Sequence, residues 1–188
     1  MAEDLNPRRG AAVPAAEWSV GGRWARLWRH LLVTDWQARR AFPPAALDRL
    51  QAAIAAGEDL HDAQVCFVVE ADLDLAAVWR GVTPRERAIE LFAQYRVWDT
   101  ADNNGVLVYV QLADRAVEIV ADRGCAARIA ESEWSAVARG IRDACGQGRY
   151  VAGALAGLEV VCILLARHFP RRSTAARRNE LPDRPVVL

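Results

Sequence analysis

The sequence predicts an α/β domain built on a small mixed β-sheet. Three observations predict it. The run Gln64–Glu70 (QVCFVVE) is β-branched, aromatic and nearly apolar on both faces, as a strand covered on both sides must be. A capped helix follows, opening at Thr83-Pro84-Arg85-Glu86. Two apolar runs, 106–112 and 116–122, then flank the short polar turn Ala113-Asp114-Arg115 and read as a hairpin. Strand, helix and second strand make a right-handed parallel crossover, and the hairpin adds an antiparallel neighbour.

The bulk numbers fit one folded domain. The chain has 188 residues, 53% hydrophobic and 26% charged. A formal net charge of +0 argues against a general nucleic-acid binder, which carries a basic surplus. All 24 Lys and Arg positions are arginine, so no lysine chemistry is available, neither a Schiff base nor a P-loop lysine. Cys66, Cys125, Cys145 and Cys162 form no CxxC pair and read as small buried hydrophobes. Free thiols suit a reducing cytoplasm.

Residues 1–21 are rich in Pro, Gly, Ala and charge and read as a flexible leader without the apolar core of a signal peptide. From Arg23 the residues Trp24, Leu27, Trp28 and Leu31 follow helical spacing. That stripe either docks on the core or lies on a membrane surface with its arginines toward lipid phosphates, and docking is the expectation. Pro43 and Pro44 open a second helix, Ala45 to Ala56, with Leu47, Leu50 and Ile54 inward and Gly57 as its stop. After the Gln64–Glu70 strand, a helical turn around Leu75, Val78 and Trp79 ends at Gly81. The capped helix is expected to reach Val97, with Ala88, Leu91, Phe92 and Tyr95 inward. Two helices close the domain, Glu131 to Cys145 and Tyr150 to His168. Gly153 and Gly157 give the last one a small face for close packing, and its apolar run reads as buried rather than membrane-spanning because it is short and holds Glu159. The domain is placed at 22–170, with 171–188 as an extended tail.

A site is expected at one end of the hairpin. With Asp114 at the turn, Gly105 falls opposite Arg123 and Val106 opposite Asp122. The loop before the hairpin then meets the segment after it. That gathers Asp99, Asp102, Asn103 and Asn104 with Asp122 and Arg123, beside Gly105 and Gly124, which permit close backbone approach. Asp and Asn oxygens with loop carbonyls suit a hard cation, Ca2+ or Mg2+. The same residues are also good turn formers, and a plain loop is the competing reading. His30, His61 and His168 are far apart in sequence and read as surface or capping residues. No Walker loop, GxGxxG or nucleophile elbow is present.

The stretch Asn103-Asn104-Gly105-Val106-Leu107-Val108-Tyr109-Val110, followed by Val117-Glu118-Ile119-Val120-Ala121-Asp122-Arg123-Gly124, resembles the TPM domain family. The step Gly148-Arg149-Tyr150 resembles the start of that family's late helix, and the likeness covers residues 42–168. The resemblance implies an α/β/α sandwich around a small mixed sheet with a β-hairpin. It further implies calcium or similar cations in some members, a proposed acid phosphatase activity in plant members, and bacterial members encoded beside LemA-type membrane proteins. Four positions depart from the pattern. Asn103 stands for the Asp of Asp-Asn-Gly, Asp122 and Arg123 for Gly and the aromatic of the closing Gly-aromatic-Gly, and Ala126 for a following acid. One carboxylate is thus missing from the loop and another appears across the hairpin.

The resulting expectation is a short, cytoplasmic bacterial member acting as a partner-binding module with an envelope-associated role. Its metal ligands would be Asp99, Asp102, Asn103, Asn104 and Asp122, and no catalytic residue is assigned. A LemA-type membrane protein is the expected partner, with peripheral contact at the inner membrane face through Trp24 and Trp28, and no nucleic acid. The alternative is a metal-assisted phosphoester hydrolase using Asp99, Asp102 and Asp122.

Overall fold

Alternation along one strand sets the layers of the molecule. A computed structural model describes residues 20–171 and 181–188. Strand β1 (Gln64–Glu70) is buried along its whole length. Val65, Phe67 and Val69 join one apolar cluster, while Cys66 and Val68 join another across the sheet. Strand β2 (Gly105–Gln111) runs parallel to β1 from Gln64↔Gly105 to Glu70↔Gln111. Strand β3 (Ala116–Ala121) pairs antiparallel with β2. Strand β4 (Val186–Val187) adds parallel to β1 through Val68↔Val186, so the order is β3-β2-β1-β4. The mixed sheet and hairpin are as expected. The last residues are extended too, but they are also paired, and Leu181 is buried in the second cluster.

The helices, in chain order, are α1 (Val20–Leu32), α2 (Asp35–Ala41), α3 (Pro44–Glu58), α4 (Leu75–Arg80), α5 (Pro84–Gln94), α6 (Arg123–Ala126), α7 (Glu131–Gly146) and α8 (Tyr150–His168). Residues of α3, α7 and α8 cover the Val65/Phe67/Val69 face, with Leu50, Ile54, Trp134, Ile141 and Leu158 as main fillers. Residues of α5 cover the opposite face through Ala88 and Leu91. The molecule is an α/β/α sandwich. The capping box of α5 is formed: Thr83 Oγ1 accepts from Glu86 N at 3.1 Å and Glu86 Oε2 from Thr83 N at 2.8 Å. Helix α8 is long and apolar enough to cross a bilayer by length and composition. In the fold, Gly57 of α3 and Gly153 and Gly157 of α8 let it pack between α3 and α7. A Cβ on Gly157 would stand 2.4 Å from Ile141 Cδ1, and one on Gly57 2.1 Å from Cys162 Sγ.

Several expectations are corrected. Helix α2 was not anticipated, because its seven residues, DWQARRA, bury only Ala38 and so carry no stripe. Helix α5 stops at Gln94 rather than Val97, because Arg96 takes a left-handed φ of 53°. The hairpin register is one residue off the expected one: Val106 faces Ala121 rather than Asp122. Its turn is centred between Ala113 and Asp114, with Arg115 in the left-handed region at φ 52°. His30 and His61 are buried, not surface residues.

The largest correction concerns α1. Its tryptophan stripe does not dock: Trp24 and Trp28 are 53% and 59% exposed. The opposite, polar face is the buried one. Arg26 donates to Asp114 through Nε (3.0 Å) and Nη2 (2.6 Å), and to Val82 O at 2.7 Å. His30 Nδ1 accepts from Leu73 N at 2.9 Å, and its Nε2 lies 3.2 Å from Asp114 Oδ1. One helix is thereby held to the hairpin turn, the loop before α4 and the loop before α5. A bidentate, half-buried ion pair outweighed the apolar stripe as the docking determinant. Of the expected leader, residues 1–19 lie outside the described residues, and α1 already begins at Val20.

Candidate functional site

The loop before β2 and the segment after β3 meet at one end of the sheet. Asp122 N donates to Gly105 O at 2.9 Å, and Gly124 N donates to Asn103 O at 2.9 Å. The approach needs glycine. A Cβ on Gly124 would lie 2.5 Å from Asn103 O and 2.8 Å from Asp102 O, and one on Gly105 would lie 1.8 Å from Val97 O. Asn103 takes a left-handed φ of 51°, which Asn tolerates better than most residues. The loop is tied from within by Thr100, whose O and Oγ1 accept from Asn103 N (3.1 Å) and Asn104 N (3.0 Å).

The expected residues divide at this end. Asn103 and Asp122 come together with the carbonyls of Asp102 and Asn103 around Gly124. Asp122 Oδ1 accepts from Arg123 N at 2.7 Å, while its Oδ2 is buried with no hydrogen-bond partner. Asn104 is turned inward: its Nδ2 donates to Asp62 O at 2.8 Å, tying the loop to the residues before β1. Asp99 and Asp102 are exposed, and no ion pair or side-chain hydrogen bond joins either to Asp122 among the described residues. Arg123 lies at this end as expected, and its partner there was not legible in the sequence. Its guanidinium donates to Asn103 Oδ1 through Nε (2.9 Å) and Nη2 (2.6 Å). The aromatic-to-Arg change thus supplies a cation-like donor to the loop oxygen. Among the described residues, no three His, Cys, Asp or Glu side chains group as a metal cage. The oxygens gathered at this end are the Asp102 and Asn103 carbonyls, the Asn103 carboxamide already held by Arg123, and the Asp122 carboxylate.

Nucleophile chemistry has little to work with. Burial pushes the Cys66 and Cys125 thiols up to about 12 and those of Cys145 and Cys162 to about 11. Tyr109 donates to Glu70 Oε2, and Arg87 clamps the same carboxylate through Nη2 at 2.7 Å. Burial first, then the Glu70 charge, raises the Tyr109 pKa. This cluster ends β1 beneath α5 and joins layers. A charged residue closing an apolar strand was its sequence signal, but its partners stand 17 and 39 residues away.

The model of the TPM domain family matches residues 37–162. The chain belongs to the TPM domain family. Among solved structures, the NMR structure of the BA42 protein from the psychrophilic bacterium Bizionia argentinensis is similar, with a TM-score of 0.63 and 23% identity over 76% of this chain and 92% of that one. The solution NMR structure of the N-terminal domain of a P. gingivalis protein is similar at a TM-score of 0.55 and 17% identity, over 75% and 95% of the two chains. At these identities the likeness is one of fold. No curated protein matches. Within the TPM domain, the departures at Asn103, Asp122 and Arg123 all fall at the hairpin end just described.

Proposed function

We propose that this TPM domain is a non-enzymatic docking module that attaches to an anionic membrane surface through the tryptophan face of α1 and α4. One observation carries the reading: α1 buries its polar face and presents Trp24 and Trp28 outward. Trp24 packs edge-on against Trp79 of α4 at 5.8 Å between ring centroids. Indole rings belong at a bilayer interface, where an apolar body meets a wet edge. Arg23 and Arg80 are exposed on the same two helices, and α1 carries no acid, so anionic headgroups fit the charge. Four free cysteines favour the cytoplasmic side. A membrane protein seated on the same face, the LemA-type partner included, is the competing occupant.

Co-sedimentation with phosphatidylglycerol vesicles tests this. The protein is expected to pellet with them and to release at high salt. Trp24→Ala/Trp28→Ala is expected to stay in the supernatant while melting as the wild type does. Equal binding by that variant ends the proposal.

The hairpin end is assigned an accessory role, taking Ca2+ or Mg2+ weakly between Asp122 Oδ2 and the loop oxygens. Its support is the unpartnered Oδ2 of Asp122, together with the Asp102 and Asn103 carbonyls that converge on Gly124 two residues along. A cation at tenfold its Kd raises stability by about 1.4 kcal/mol, which thermal melting resolves. The midpoint is expected to rise in millimolar Ca2+ and not in Asp122→Ala. An unmoved midpoint removes both the cation and the metal-assisted hydrolase. Phosphoester turnover abolished by Asp122→Ala would instead establish the hydrolase.

A further inference from the structure

The sheet has a second end, and it carries a cleft that the reading above does not use. The cleft has a volume of about 960 Å³ and lies where β2 ends, between α2, the hairpin and the start of α8. It is lined by Arg40, Arg115 and Arg149, by the rings of Trp36 and Tyr150, and by Gln111, with no Asp or Glu. None of the three arginines forms an ion pair among the described residues. Arg40 rests over the Trp36 ring at 5.4 Å, and Arg149 holds Gln147 Oε1 through Nη2 at 2.7 Å.

Two further observations point to an anion. Tyr150, Val151 and Ala152 of the cleft wall form the first turn of the 19-residue helix α8. The N–H groups of such a turn have no partner inside the helix and favour negative charge. Gln111 is fully buried, and its Oε1 accepts from Asp114 N at 2.6 Å. Its Nε2 has no partner. A buried N–H without an acceptor is costly and calls for one. In open α/β sheets, ligands sit beyond the carboxyl ends of the strands, and Gln111 is the last residue of β2.

We propose that this cleft binds a phosphate monoester carrying an aromatic or apolar group. The phosphate meets Arg40, Arg115, Arg149 and the α8 N-terminus, and the body packs on Trp36 and Tyr150. Guanidinium forks match phosphate oxygens in pairs, and the aromatic walls favour a substituted phosphate over the bare ion. The proposal is independent of the tryptophan face and of the cation.

Titration of isotope-labelled full chain by NMR decides it, with phenyl phosphate, inorganic phosphate and benzyl alcohol as probes. Phenyl phosphate is expected to shift the Gln111 side-chain amide and the Tyr150, Val151 and Ala152 amides saturably, at least tenfold more tightly than either other probe. Arg115→Ala/Arg149→Ala, both exposed, is expected to weaken it at least tenfold. Gln111→Glu keeps the acceptor for Asp114 N and removes the donor, and is expected to abolish the shifts. Dihexanoyl phosphatidic acid below its micelle concentration separates the sources: tighter binding than phenyl phosphate assigns the cleft to a lipid headgroup, weaker binding to a soluble ester. No saturable shift from any phosphate probe, or shifts indifferent to the arginine variant, would overturn the site. Vesicle binding lost with these shifts intact would bear on the docking proposal alone.

Discussion

Asp114 is the residue on which the N-terminal helix depends. Burial alone would raise its pKa, but the His30 and Arg26 contacts outweigh burial and hold the carboxyl well below the usual carboxylate range. The folded value is therefore the lower one. The clamp's contribution is complete above the ordinary value of 3.8 and is lost as the pH falls from there through the folded value. Asp114→Asn is expected to lower stability at pH 7 by about 3 kcal/mol, because it leaves Arg26 half-buried without its partner. It is also expected to flatten the loss of stability below about pH 4. Urea unfolding at pH 7, 4, 3 and 2 reads both effects. A variant with the wild-type slope below pH 4 would remove Asp114 from the acid transition. The sequence placed Asp114 in a turn, correctly. It gave no hint of Arg26, 88 residues away, since a charge pair made by tertiary folding leaves no local period. The hairpin-end residues were legible for the opposite reason: Asp-x-x-Asp-Asn-Asn-Gly and Asp-Arg-Gly are local patterns that a two-strand register brings together.

At the scale of elements, small residues decide how closely helices meet. Gly157 of α8 faces Ile141 of α7, with no room for a methyl group. Gly140 of α7 has no atom within 4 Å of where a Cβ would stand. The two glycines should therefore respond with opposite signs. Gly157→Ala is expected to cost about 1–3 kcal/mol through overpacking. Gly140→Ala is expected to gain about 0.5–1 kcal/mol, since alanine loses less backbone entropy in a helix. Thermal melts of the two variants give the comparison, and a destabilised Gly140→Ala would show that α7 is constrained there by something other than packing. Strands β1, β2 and β3 and helices α3, α7 and α8 were readable because their apolar period agrees with their burial, whereas the two-residue β4 carries no period and was read only as an extended tail. Helix α1 was readable as a helix but not by its buried face. Hydrophobic stripes report burial only when apolar contact is the strongest interaction available, and here a bidentate carboxylate was stronger.

At the scale of the molecule, the sheet separates two surfaces. Its β2-starting end gathers oxygen donors and its β2-ending end gathers guanidinium groups. The short strand β4 bears on both, because it shields β1, the strand that anchors the two clusters. Backbone bonds from Leu188 N to Val69 O (2.9 Å) and from Ala71 N to Leu188 O (3.1 Å) hold it in place. Removal of residues 181–188 is expected to lower the unfolding midpoint, strip Leu181 from the second cluster and leave β1 as a bare edge. Size-exclusion chromatography of the truncated chain should show concentration-dependent self-association, and a monomer of unchanged midpoint would mean that β4 is dispensable.

That arrangement has a consequence during synthesis. Because β4 is the last of these strands to leave the ribosome, β1 waits with one apolar, unpaired flank while the helices after it are being made. An unpaired flank of this kind is a template for any passing strand. Slow translation or crowded nascent chains should therefore favour tangled oligomers over the finished fold, and a bulky fusion placed directly after Leu188 should have the same effect.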